Sequence, residues 1–163
     1  MSNFYDAVIV GGGPAGLSAA IYMARARFRV LVIEKEKMGG QITITSEVVN
    51  YPGVFSTNGE KLTQEMVRQA KAFGAEFLTA TVTSLDLEGD YKTVHTDHGD
   101  FVTLGVVYAA GAHPRLAGFT GESDFRGHGV AYCATCDGEF FTGKDIFVIG
   151  GGYAAVEEAL FLT

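Results

Sequence analysis

The chain opens with a short apolar run, Tyr5 to Val10, which glycines interrupt at Gly11 to Gly13. Pro14 to about Arg27 follows with helix-forming residues, and a second apolar run spans Arg29 to Glu34. This order predicts strand, tight turn, helix and strand, a βαβ unit. Further on, Leu62, Met66, Ala70 and Phe73 recur at helical spacing, so Glu60 to Phe73 is expected to form a helix with one buried face that ends near Gly74. From Ala75 to Gly111 apolar and polar positions alternate, which predicts three or four strands separated at "EGD" and "DHGD". The last of these strands, Val106 to Ala110, leads into Gly111. Ala112 to Gly129 carries proline, glycine and few apolar positions in register, the pattern of an interdomain linker. A buried strand is then expected at Ile146 to Ile149, followed by a helix through Val156, Glu157 and Leu160 whose "VEEAL" acids face water.

The glycines between the first strand and helix are spaced as a dinucleotide-binding turn. Gly11 permits the tight turn, Gly13 lets backbone N–H groups approach a pyrophosphate, and Gly16 allows the helix to pack closely on the strand. Pro14 suits a first helical turn, where its missing N–H has no intrahelical partner. The helix N-terminus adds partial positive charge for phosphates. Glu34 ends the second strand, where an acid can accept bonds from a ribose hydroxyl. A glycine fingerprint alone would fit any glycine-rich turn, but here strand, helix, second strand and terminal acid agree. The pattern returns near the end, with Gly150, Gly152 and Ala155 at the fingerprint positions and the bulky Tyr153 inside the turn. Two dinucleotides are therefore implied.

Composition narrows the setting. The chain has 163 residues, 47% apolar and 19% charged, enough to bury a core of ordinary size. A net charge of −7 and the lack of any Lys/Arg run argue against nucleic acid or an anionic membrane as partner. The first residues lack a basic leader segment and their apolar run is too short to span a bilayer, so a cytoplasmic protein is expected. The 22 glycines cluster at Gly11 to Gly16, Gly39 to Gly40 and Gly150 to Gly152, which suggests loops that approach a ligand closely.

Cys133 and Cys136 are the only cysteines. By themselves they fit a structural disulfide, half of a metal site or an exchanging dithiol. A zinc site would have to recruit His95, His98, His113 or His128, none of which has an H-x₃₋₅-H partner. A disulfide closing so small a loop would restrict the unfolded chain little. The C-x-x-C spacing suits reversible exchange, because either thiol can resolve a mixed disulfide formed by the other, and Asp137 is a neighbouring proton carrier.

Taken together, "GGGPAG", "GGQITITSEVVNYPG", "AAGAHPR", "CATCDGEFF" and "GGGYAAVEEAL", in this order, resemble the low-molecular-weight thioredoxin reductases across essentially the whole chain. The resemblance implies an α/β fold: a three-layer, Rossmann-like FAD-binding domain at 1–114 and the start of a similar NADPH-binding domain at 115–163. It places FAD on Gly11, Gly13, Pro14, Ala15, Gly16, Glu34, Lys35, Gly39, Gly40, Gln41, Asn50, Ala110 and Gly111. It places NADPH on Gly150, Gly152 and Ala155, and assigns Cys133 and Cys136 as the redox pair with Asp137 as acid–base group. In this family the second cysteine, here Cys136, lies nearer the flavin and the first, Cys133, attacks the protein substrate.

The expected activity is transfer of electrons from NADPH through FAD to the dithiol and on to thioredoxin, in a homodimer and without a metal. Competing expectations are a ferredoxin-dependent or peroxidase-linked disulfide reductase, and a non-catalytic flavin-binding module. The second βαβ unit reads as unfinished, so the 163 residues look like an amino-terminal portion, inactive alone.

Overall fold

The computed structural model describes residues 3–163. The reading that no leader is present falls partly on Met1 and Ser2, which lie outside them. By their contacts the residues form two units, the first ending at Ala112 and the second running from His113 to Thr163.

The first unit is built on β1 (Phe4–Val10), α1 (Pro14–Arg25) and β2 (Val30–Glu34), the expected βαβ unit. The helix α2 (Gly59–Ala72) follows, then β3 (Glu76–Thr79), β4 (Val82–Asp86), β5 (Lys92–Thr96) and β6 (Gly99–Tyr108). The six strands form one sheet in the order β3-β2-β1-β6-β5-β4. Strands β3, β2, β1 and β6 run parallel, whereas β6, β5 and β4 form an antiparallel meander. The long β6 serves both parts, its first half pairing with β5 and its second with β1.

Alternation along β1 and β2 sorts the core onto two faces. Ile9, Val30 and Val32 pack with Ala20 and Ala24 of α1 and Ala70 of α2. On the opposite face Val8, Val10, Leu31 and Ile33 meet Val94 of β5 and the half-buried Leu85 of β4, so the meander folds over that face. Helices, parallel sheet and meander make three layers. A third cluster, Leu17, Val48, Leu62 and Met66, joins α1 to α2 and to the loop between β2 and α2.

Both long helices end in the same way. Gly74 has φ +99°, its N–H donates to Lys71 O, and the Ala75 N–H donates to Ala70 O. This pairing closes the last turn and seats Ala75 against Ala70 in the core. At the end of α1, Arg27 adopts φ +71°, with Arg27 N–H to Ala24 O and Phe28 N–H to Met23 O. The helix therefore stops at Arg25, two residues before the sequence-based limit. Phe73 also departs from expectation. It lies past the last residue of α2 and is half exposed, and Thr63 takes its place in the buried set.

The second unit has α3 (Ala134–Asp137), a 3-10 turn at Gly138–Phe141 and α4 (Tyr153–Phe161). The buried strand expected at Ile146 to Ile149 is not formed: these residues belong to no ladder, and Phe147 is 89% exposed. An apolar run becomes a strand only where neighbours accept its N–H and C=O groups, and among the described residues of this unit no strand flanks it. Val156 and Leu160 of α4 are exposed for the same lack of an opposing layer.

Leu17 is fully buried at the junction of α1 and α2. Leu17→Ala should lower unfolding free energy by about 2–5 kcal/mol in urea titration. Leu87→Ala, at an exposed position, should stay within about 0.5 kcal/mol.

Candidate functional site

The carboxyl ends of β1, β2 and β6 meet where the strand order reverses on either side of β1, the place where open α/β sheets bind ligands. Gly11 leaves β1 with φ +110°, and a Cβ there would lie 2.2 Å from Ala109 O at the end of β6. Gly16 lies so close beneath the turn that its Cβ would come within 2.0 Å of Gly11 O. Only glycine fits at either position. Gly13 caps α1 in an extended conformation, and Pro14 begins the helix.

Glu34 secures the turn from the side. Its Oε2 accepts the Gly12 N–H at 2.8 Å and its Oε1 accepts the Glu36 N–H at 3.2 Å. Each oxygen keeps a lone pair, so a sugar hydroxyl could still be bound. The Gly12 carbonyl accepts the Gly39 N–H at 2.8 Å, which draws Gly39 and Gly40 against Gly13. A methyl group at Gly13 would meet only Gly40 Cα at 3.9 Å and Gly39 O at 4.0 Å, ordinary contact distances. The fold itself therefore does not require glycine there. A bare backbone at the mouth of a helix, whose first N–H groups have no intrahelical acceptor, is what a pyrophosphate needs.

Of the other expected binding residues, Ala15 is exposed in the first turn of α1, and Lys35 follows Glu34 and pairs with Glu36 at 3.6 Å. Gln41 opens a 3-10 turn directly after Gly40. Ala110 and Gly111 follow β6 at the rim, and the Ala110 nitrogen lies 3.0 Å from where a Gly11 Cβ would be. Asn50 is exposed in the loop that Val48 and Thr57 close by a bridge, and among the described residues no hydrogen bond ties its side chain to the cradle.

The second fingerprint repeats this backbone. Gly150 has φ +140°, and Gly152 caps α4 at φ −84°, ψ 174°, close to the −77°, −178° of Gly13. The Gly150 Cβ position falls 3.3 Å from the Ala155 methyl, so Ala155 takes the role of the third small residue. Tyr153 points out to solvent, 81% exposed, and leaves the turn clear.

Cys133 and Cys136 are joined by a disulfide, with their Cα atoms 5.3 Å apart. Cys133 caps α3, and its carbonyl accepts the N–H groups of Cys136 and Asp137 at 3.2 and 3.0 Å. Cys133 Sγ lies 3.4 Å from Thr135 Oγ1, and because a disulfide sulfur carries no proton, the hydroxyl is the donor. Asp137 is half-buried at the end of this turn, and burial pushes its carboxyl above the usual carboxylate range. It is thereby suited to hold and release a proton beside the sulfurs. Among the described residues no three His, Cys, Asp or Glu side chains gather as metal ligands.

The segment read as a linker is ordered over much of its length. The Glu122 carboxylate accepts the N–H groups of Ala117 and Gly118 and the hydroxyl of Tyr132. The backbone folds on itself through Phe125 N–H to Gly121 O and Val130 N–H to Phe125 O. Sequence reasoning missed Glu122, Tyr132 and Thr135. The available signal was an acid one residue after a glycine, in a stretch where apolar periodicity says nothing.

The chain matches the family model described as "Pyridine nucleotide-disulphide oxidoreductase" over residues 5–163. It is 48% identical over 164 residues to a thioredoxin reductase of Peptoclostridium acidaminophilum, covering 100% of this chain and 52% of that protein. It is 43% identical over 161 residues to a thioredoxin reductase of Bacillus subtilis (strain 168), covering 99% and 51%. The crystal structure of thioredoxin reductase from Streptococcus pyogenes MGAS5005 matches at TM-score 0.94 and 40% identity, over 99% of this chain and 53% of that one. The chain spans about half the length of the relatives it matches.

Two glycine variants separate packing from ligand space. Gly11→Ala forces a side chain onto Ala109 O at a left-handed φ and should destabilise the fold by about 1–3 kcal/mol. Gly13→Ala should melt near the parent temperature without ligand yet retain less dinucleotide after desalting, and full retention would remove Gly13 from the cradle.

Asp137 gives a pH signature. Its raised native pKa means that the stability it contributes is fully present below the unfolded carboxyl value, about 3.9, and is lost as pH rises through the native value. Asp137→Asn should flatten that fall, and parallel stability–pH curves for the two proteins would contradict the assignment.

Proposed function

Because the chain belongs to the pyridine nucleotide-disulphide oxidoreductase family, we propose that it carries the FAD-binding and dithiol portion of a thioredoxin-disulfide reductase that draws electrons from NADPH. Residues 1–114 belong in this reading to the FAD-binding domain and 115–163 open the NADPH-binding domain. The observation that carries it is the combination in one chain of the Gly11–Gly16 cradle, its backbone repeat at Gly150–Ala155, and a C-x-x-C disulfide with a half-buried acid beside it.

When bound, FAD supplies a two-electron carrier between a nicotinamide donor and a disulfide. Gly13 and the first amides of α1 hold its pyrophosphate, flanked by Pro14, Ala15 and Gly16. Glu34 accepts a ribose hydroxyl while its bond to the Gly12 N–H keeps the turn in shape. Lys35, Gly39, Gly40, Gln41, Ala110 and Gly111 would line the remainder, whereas Asn50 would have to reach the cofactor from the exposed loop closed by Val48 and Thr57. Gly150, Gly152 and Ala155 receive the pyrophosphate of NADPH at the start of α4.

Reduction breaks the Cys133–Cys136 bond, with two electrons entering the sulfurs and protons taken up as the thiols form. Asp137 is neutral over a wider pH range than an exposed acid, so it delivers one of those protons and later recovers it. The Cys133 thiolate then attacks a thioredoxin disulfide. One partner sulfur leaves as a thiol, a mixed disulfide forms, and Cys136 resolves it by restoring the Cys133–Cys136 bond. Thr135, by donating to Cys133 Sγ, stabilises the thiolate better than the disulfide, since an anion is the stronger acceptor. A homodimer in the cytoplasm belongs to the same reading. No helix among the described residues is long and apolar enough to cross a membrane.

The test uses the full-length flavoprotein. With NADPH, Cys133→Ser or Cys136→Ser should leave flavin bleaching intact and cut thioredoxin reduction by roughly a hundredfold or more. Undiminished turnover in either variant would reject the dithiol pathway, and bleaching by NADH or reduced ferredoxin but not NADPH would replace the proposed donor.

A further inference from the structure

Glu122 is the only Asp, Glu, Lys, Arg or His side chain that is buried among the described residues, 4% exposed. A carboxylate is tolerated away from water only where hydrogen bonds replace those to solvent. Here Oε1 accepts the Ala117 N–H at 2.9 Å and the Tyr132 hydroxyl at 3.0 Å, while Oε2 accepts the Gly118 N–H at 2.6 Å. These amides, the Ala117 one foremost, hold the Glu122 carboxyl below its usual range, so it stays ionised. Every donor presents a hydrogen, and the backbone amides approach different oxygens. No neutral side chain of this size could serve both, because an amide in its place would turn an NH₂ group toward one of the N–H donors.

The bonds connect parts of the chain with different tasks. Ala117 and Gly118 begin the ordered segment, Glu122 sits in the turn that Phe125 and Gly121 close, and Tyr132 directly precedes Cys133. The Arg126 guanidinium lies over the Tyr132 ring at 5.4 Å, holding it from another side. The backbone entering the disulfide turn is thus fixed at Tyr132, and the turn itself is closed by the bonds to Cys133 O.

We infer that Glu122 is a positioning residue for the dithiol: by clasping Tyr132 to the Ala117–Gly118 backbone it holds Cys133 where its sulfur meets that of Cys136. This rests on the reading of the pair as exchanging. Glu122 touches neither sulfur, so its influence passes through Tyr132. Loosening the clasp widens the positions open to Cys133 once the bond is broken. The effective concentration of one thiol beside the other then falls, and the equilibrium moves toward the dithiol.

The experiment equilibrates the full-length holoprotein with mixtures of reduced and oxidised dithiothreitol and counts alkylated Cys133 and Cys136. In this exchange the protein disulfide gains two hydrogens and dithiothreitol loses two as its own sulfurs join, so no further reductant enters. Glu122→Gln and Tyr132→Phe should each favour the dithiol about tenfold, a midpoint ~30 mV less negative. The double variant should move no further than the larger single one, because both changes open the same clasp.

Midpoints unchanged in both single variants, even with lowered melting temperatures, would reduce Glu122 to a purely structural residue and overturn the inference. Additive shifts in the double variant would overturn it too. Should Glu122→Gln fail to fold, Tyr132→Phe, which deletes one oxygen from a half-buried ring, decides alone. A protein that shows the shifts yet passes no electrons from NADPH to its disulfide would leave the clasp standing and remove the reductase reading.

Discussion

The approach of Gly16 to the Gly11 carbonyl is the contact on which the first unit's site depends. With 2.0 Å between that oxygen and a hypothetical Cβ, the helix can lie against the end of β1 only if the side chain is absent. The closeness directs the amino end of α1 at the gap between β1 and β6 and leaves the Gly12 N–H facing Glu34. From there the Gly12 carbonyl takes the Gly39 N–H and brings the Gly39–Gly40 loop alongside. Sheet, helix and two loops are thus set by one steric allowance, and the bonds around it keep the geometry before any ligand arrives.

Much of this was legible in the chain because local signals agreed. The apolar runs at β1 and β2, the fingerprint glycines and the terminal Glu34 each stated the same unit, and the four-strand region followed its turn residues. Agreement failed where structure depends on partners distant in sequence. Ile146 to Ile149 has the composition of a buried strand, yet a strand is a property of a ladder, and composition cannot supply its neighbours. Phe73 obeyed the helical period but fell beyond the turn that Gly74 enforces, so its side chain left the buried stripe. The ordered loop around Glu122 was invisible for another reason: it is held by a carboxylate satisfying backbone amides, an arrangement without periodicity.

Three acids show how environment assigns different tasks to one functional group. Glu34 is half-buried and divides its oxygens between backbone amides, which shapes a turn and leaves lone pairs for a ligand. Glu122 is enclosed and occupied by donors, so it serves only to hold its surroundings. Asp137 is partly desolvated beside the disulfide and binds its proton more tightly than an exposed acid would. Hydrogen-bond donors favour the anion in the second case and burial favours the acid in the third.

The double pairing of β6 carries a consequence for assembly. Its antiparallel partner β5 precedes it immediately, whereas its parallel partner β1 lies at the other end of the unit, with Phe4 opposite Val102. During synthesis β1 emerges first, and its β6-facing edge stays open until the chain has been extended through Tyr108. The meander closes by short-range contacts, and the central sheet must wait for the pairing of highest contact order. An apolar nascent strand with an unfilled edge is the period in which this unit is most exposed to wrong pairing and most in need of chaperone shelter.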